Sequence, residues 1–209
     1  MWIPERIAFR VGQVADTEWD AANIGKLSFA AGVSNIAFGA GSTAFGASGL
    51  AQGNYTFIAG LNNKAIGEWA TAIGRDNLSQ ASYAITLGYA DTATKVYAVA
   101  MGNNTNANGI ASFAIGQSSK TNKDYAVAMG INTTAGGIAS FAMGELSSAS
   151  KDYAVAIGLN TKADGIASFA MGKLDTASKD YAVAMGIDTR ANGIASFAIG
   201  QSSSTSKDY

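Results

Sequence analysis

Lysine, aspartate and tyrosine stand side by side four times in the second half of this sequence. Lys123-Asp124-Tyr125, Lys151-Asp152-Tyr153, Lys179-Asp180-Tyr181 and Lys207-Asp208-Tyr209 are spaced by 28 residues. A mixed-charge row of this kind keeps an edge soluble and blocks side-by-side sticking, or acts as a repeated weak docking row strengthened by multivalency. A second row is hydroxylated: Thr105, Ser119, Thr133, Ser147, Thr161, Asp175 and Thr189 recur every 14 residues. It raises an ice-binding reading, although its Asp and mixed neighbours spoil a flat threonine lattice. Strings such as Gly39-Ala40-Gly41 would suit a phosphate cradle only if a helix followed, and none is readable. Asp76, Asp91, Asp164, Asp175 and Asp188 are read as keeping no common phase, which argues against a calcium-binding roll.

Composition removes further chemistry. There is no Cys and no His, so no zinc finger, disulfide framework, catalytic cysteine or Ser-His-Asp triad is available. The carboxylates are too scattered for an acid-base pair. No enzyme, catalytic residue, cofactor or metal is expected. Fourteen basic against fifteen acidic residues give a net charge of −1, so no nucleic-acid partner is called for. No apolar run approaches the ~18 residues of a membrane span, so no membrane insertion by this segment is expected, and Met1 is not followed by a signal-peptide pattern.

What positions these rows is a repeat. Glycine occurs at 32, 46, 60 and every 14 residues thereafter to 200 without an insertion. Two residues before it stands Ala, except at Ile58 and Thr86. Seven residues after it comes a second mark: Gly39, Gly53, Gly67, Ala81, and from Lys95 onward Lys alternating with Gly. The true period is therefore 28 in the second half. Segments such as YAVAMG and ASFAIG alternate large and small with period two, the strand signal, and fail the three-and-four spacing of a coiled coil. Each unit reads as one coil of a β-solenoid: strand, turn, short strand, turn. Successive coils stack by parallel pairing at ~4.8 Å. Residues 27–209 form the array, whose last repeat stops midway, so that continuation beyond it is expected. Residues 1–26, with Trp2, Pro4, Phe9 and Trp19, read as a lead-in that caps the first coil.

None of the five residues before each main glycine is charged, Asn or Gln. Both strand faces look dry, so the outward face is expected to pack against other copies of the chain. Bulk is exchanged between neighbours on the large face: Phe113 follows Ala111, and Val127 follows Tyr125. That compensation suits a filled interior. The large face, Phe113, Val127, Phe141, Val155, Phe169, Val183 and Phe197, is accordingly assigned to the roll interior. The small face, Ala114, Ala128, Ala142, Ala156, Ala170, Ala184 and Ala198, is assigned to the contact between chains.

The units SFAIG, YAVAMG and SFAMG, with Ala-x-Gly about seven residues on as in Ala107-Asn108-Gly109, resemble the YadA-like head repeats of trimeric autotransporter adhesins. The resemblance runs from about residue 26 to the end. It implies an all-β, left-handed parallel β-roll assembled as a parallel homotrimer with two further copies of itself. It also implies an extracellular place on the bacterial surface, where the trimeric head or shaft of an adhesin would meet host or neighbouring-cell surface molecules. The lead-in MWIPERIAFRVG is similar to that of larger bacterial and phage fibre proteins. A rigid spacer in a phage or injection-machine tail fibre is therefore the alternative, with an ice-binding solenoid a remote one.

Overall fold

The computed structural model describes residues 1–208; position 209, the last of the expected array, lies outside the described residues. The chain divides into two units, Met1–Asn104 and Thr105–Tyr209. Each is a parallel β-solenoid whose coils repeat every 14 residues. In the second unit, long strands such as Phe113–Gln117, Val127–Ile131 and Phe141–Glu145 pair in parallel. Phe113 lies opposite Val127, Ala114 opposite Ala128 and Gly116 opposite Gly130. Short strands such as Lys120–Thr121 and Thr134–Ala135 build a second sheet with the same offset. The first unit repeats this arrangement from Phe29–Val33 onward.

Two corners per coil turn the chain through the left-handed region. Tyr125 has φ 61° and Asn132 φ 53°, and the next coil repeats this at Ala139 (φ 51°) and Leu146 (φ 54°). Such a backbone costs about 1 kcal/mol or more for a residue with a Cβ. It persists because ladder hydrogen bonds on both sides fix each corner; Tyr125 N–H, for one, donates to Ile110 O at 2.8 Å. The main glycine answers a stricter demand. Gly130 has φ 130°, and a Cβ there would lie 1.9 Å from Gly144 O. No other residue fits between coils stacked this closely.

The interior of the coil is narrow and filled with alanine. Ala128, Ala135, Ala142, Ala149 and Ala156 belong to one buried cluster of the second unit, all with no exposed surface. The two breaks in the alanine column are matched locally. Ile58 is buried because Gly49 lacks a side chain, and a Cβ on Gly49 would meet Ile58 Cδ1 at 2.5 Å. Thr86 is buried against Ser79, with the two hydroxyls 2.9 Å apart.

The lead-in joins the same sheet. Ala8–Gln13 pairs in parallel with Phe29–Val33, with Phe9 opposite Phe29 and Gly12 opposite Gly32. The offset is 20 residues where the repeat has 14, so the intervening loop is longer. Arg10 stands opposite Ala30, in the interior column. It is fully buried, and its guanidinium donates to Phe9 O, Ser28 O, Ser28 Oγ and Ala37 O at 2.8–3.1 Å. Burial lowers its pKa from the ordinary arginine value. Here a cation fills the end of the alanine column and adds charge-assisted hydrogen bonds to carbonyls, Ser28 O and Ala37 O, that also accept the backbone N–H groups of Phe9 and Gly25.

Candidate interaction surfaces

The structure reverses the expected assignment of the two strand faces. Ala114, Ala128, Ala142, Ala156, Ala170 and Ala184 have no exposed surface within the single chain, and Ala198 has 3%. They pack inside their own coil and have nothing to offer another copy. The residues assigned to the interior point outward: Phe113 is 42% exposed and Phe197 61%, while Val127, Phe141, Val155, Phe169 and Val183 are half-buried. The physical reason is width. A long strand backed by a two-residue strand leaves room for a methyl group from each side and none for a phenyl ring.

The outward face is therefore the apolar one. In the second unit it carries the Phe/Val row and, two residues on, Ile115, Met129, Met143, Ile157, Met171, Met185 and Ile199. Beside them runs the glycine column, which opens an apolar groove of about 500 Å³ lined by Met171, Gly172, Met185, Gly186, Ile187 and Ile199. In the first unit the same face holds a ladder of rings, with centroids 5.5 Å apart for Phe9–Phe29, 5.2 Å for Phe29–Phe45 and 6.1 Å for Phe45–Phe57. Singly exposed apolar residues are ordinary on a protein surface, but contiguous rows of them mark an interaction face.

The hydroxylated row lies inside. Thr105, Ser119, Thr133, Ser147, Thr161, Asp175 and Thr189 are all 0–1% exposed, which overturns the ice-binding reading, since a buried lattice meets no ice. Ser119 Oγ donates to Gly130 O at 2.9 Å and accepts from Thr133 Oγ1 at 2.8 Å. Asp91 and Asp175 share this phase, contrary to the expectation of none. Asp175 accepts from Gly186 N, Thr189 N and Thr189 Oγ1 at 2.7–3.0 Å. Among the described residues no three His, Cys, Asp or Glu side chains assemble into a group that could hold a metal.

The Lys-Asp-Tyr motif divides its labour. Asp124 Oδ1 accepts Ile110 N–H from the preceding coil at 2.8 Å, and Asp152, Asp180 and Asp208 do the same for Ile138, Ile166 and Ile194. The carboxylate is a coil-to-coil clamp. Lys123 and Tyr125 stay exposed at the corner. Sequence reasoning missed the asparagine ladder of the first unit. Asn63 Nδ2 donates to Ala59 O and Gly74 O at 2.8 Å, and its Oδ1 accepts Asn77 N–H at 3.1 Å. Its signal was present, since Asn35, Asn63 and Asn77 each stand three residues after a main glycine. Arg10, hidden in a segment without the repeat, left no such signal.

A family profile described as YadA head domain repeat matches residues 24–48, 93–119, 107–133, 122–145, 135–161, 149–173 and 177–203. Together these cover more than half of the chain. The chain belongs to the YadA head domain repeat family. Among curated proteins none matches it. The expected β-solenoid and the expected family thus agree with what the YadA head repeats of this chain form. The family is a structural adhesin type and not a known enzyme family, and among the described residues no helix is long and apolar enough to cross a membrane.

Proposed function

We propose that this chain is the trimeric head or shaft of a bacterial cell-surface adhesin, holding receptor-binding surface outside the cell. Three parallel copies meet along the Phe/Val and Ile/Met rows, with the glycine-lined groove of one receiving the large side chains of another. The observation that carries this reading is the contiguous apolar outward face, which is present in each unit and which no other described residue of the chain covers. Membership of the YadA head repeat family supports the trimer and the surface location. The corners and turns then face host or neighbouring-cell surface molecules.

Light scattering on the folded protein should give about three times the 21.2 kDa chain mass. Phe141→Asp should dissociate the assembly, because a charge in a dry interface costs several kcal/mol. Its far-UV circular dichroism should persist, since Phe141 lies outside its own coil. A parent protein that stays a 21.2 kDa monomer at micromolar concentration would overturn the reading.

A further inference from the structure

The apolar face accounts for assembly and the aspartates for coil stacking, but neither accounts for the lysine and tyrosine of the repeated motif. Tyr125, Tyr153 and Tyr181 are 62%, 62% and 61% exposed. Beside each stands an exposed lysine: Lys123, Lys151 or Lys179. Among the described residues the ion pairs are Arg75–Asp76 and Arg190–Asp188, so none of these three lysines has one. The neighbouring aspartates, by contrast, are engaged by backbone N–H groups. Each corner thus offers a lysine without an ion pair and an open ring, while the aspartate between them keeps its charge and has Oδ1 taken by the preceding coil.

The alternate corners carry only a methyl group at the tyrosine position, with exposed Ile138 and Ile166 one residue before it. Ala139 and Ala167 occupy the same left-handed position in the intervening coils, with φ 51° at both. The first unit shows what happens without such gaps. There the corner rings Tyr55 and Trp69 stack on each other at 4.3 Å, and Tyr83 and Tyr97 at 4.9 Å. Each ring in those pairs has one face taken by its neighbour. In the second unit the spacing is two coils, about 9.6 Å at the usual strand separation. An extended β-linked pyranose advances by about one strand separation per ring, so this pitch equals one disaccharide.

We propose that the Lys-Tyr row of the second unit binds a linear acidic polysaccharide bearing one carboxylate per disaccharide. Each tyrosine packs against the apolar face of a pyranose ring, and each lysine donates to the carboxylate of the same disaccharide. Single contacts of this kind are weak; a polymer in register with the row binds through their repetition. The proposal rests on the adhesin reading for its biological sense, but its geometry requires only the folded second unit.

The test uses the folded protein and hyaluronan oligosaccharides of four, six and eight sugars, with neutral dextran as the comparison. Affinity should rise with each disaccharide until all three Lys-Tyr pairs are spanned, and then level off. Replacing the three tyrosines by alanine should weaken the longest oligosaccharide about 100-fold or more. That variant should fold, because alanine already holds the same backbone conformation at Ala139 and Ala167. Replacing the three lysines by glutamine should weaken binding and flatten its salt dependence. Hyaluronan binding no better than dextran, or a tyrosine variant that binds like the parent, would overturn the proposal. Light scattering on the same samples separates the two readings. A trimer without hyaluronan affinity sinks this proposal alone, and a monomer that binds hyaluronan sinks the assembly reading alone.

Discussion

Three residues after the coil glycine, the unit Met1–Asn104 places Asn35, Asn63 and Asn77, whereas Thr105–Tyr209 places serine and threonine in alternation until Asp175. Both sets are buried at the same point of the coil, yet their hydrogen bonding differs in range. Asn63 donates once within its own coil and once to the next, and also accepts from the next. Asn77 repeats the pattern on Ile73 O, Gly88 O and Asp91 N. An amide with two donors and an acceptor satisfies each step alone, so one coil is a complete unit. A hydroxyl has a single proton. Ser119 spends its proton on Gly130 O and depends on Thr133 to donate back, and Ser147 depends on Thr161 in the same way. Polar accounting in the second unit therefore closes only over two coils. The corners follow the same rule, with each aspartate clamp reaching from a lysine coil to the glycine coil before it. The period of 28 is a hydrogen-bonding period.

This comparison predicts that the second unit tolerates losing two coils better than losing one. Deleting residues 130–143 joins Met129 to Gly144 and puts Lys123 where Gly137 stands now. A Cβ at Gly137 would lie 2.0 Å from Lys151 C. The same cut removes Thr133, the donor to Ser119, and Ile138, whose N–H Asp152 accepts. The combined cost should be about 2–4 kcal/mol. Deleting residues 130–157 removes twice as much chain but restores the alternation, with Gly165 following Lys123, and should melt at the higher temperature of the two. The protein already shows the strain in mild form. Ala81 followed by Lys95 is a turn succession without glycine, and there Tyr97 N–H reaches Ser82 O at 3.3 Å, where equivalent corners show 2.8–2.9 Å. Equal melting temperatures for the two deletions would break the comparison.

A smaller effect separates the ladders themselves. Asn63→Ala strips the acceptors Ala59 O and Gly74 O and the donor Asn77 N–H of their buried partner, and should cost about 2–3 kcal/mol. Thr133→Ala removes one donor from Ser119, which keeps its bond to Gly130 O, and should cost about 1 kcal/mol. Denaturant unfolding of the two variants reads the difference. A threonine loss as costly as the asparagine loss would mean that the hydroxyl relay carries more than one bond's worth of stability.

The 14-residue spacing made the solenoid legible, because glycine at one phase and period-two alternation before it have few other physical causes. The faces were misread for an equally physical reason. Both are uncharged, and volume exchange such as Ala111/Phe113 against Tyr125/Val127 suits a crowded outer face as well as a filled core. The deciding signal was which column varies. The position of Ala128 is alanine in almost every coil, whereas the position of Val127 holds Phe, Thr, Ile or Val. A confined interior tolerates one size, and an outer face tolerates several. Arg10 was illegible because its six-residue offset from the repeat hid it, and only register with Phe29–Val33 reveals that it occupies the alanine column.

The smallest expected effect tests the clamp at the corners. Asp152 Oδ1 accepts Ile138 N–H at 2.8 Å, and Asn54 Oδ1 accepts Ala40 N–H in the first unit at 3.0 Å. Carboxylate and amide therefore do the same job in the two units, which makes the acceptor oxygen, and not the charge, the working group. Asp152→Ala should free the Ile138 amide, speed its hydrogen exchange, and cost about 0.5–1 kcal/mol, the usual net worth of one hydrogen bond near solvent. Asp152→Asn keeps an oxygen at the same place and should leave both exchange and melting temperature close to the parent. If the asparagine variant behaved like the alanine variant, charge would be the feature that matters at this corner. The mixed-charge row would then have to be understood through Lys151 and Asp152 together, and the match between the two units would hold for geometry alone.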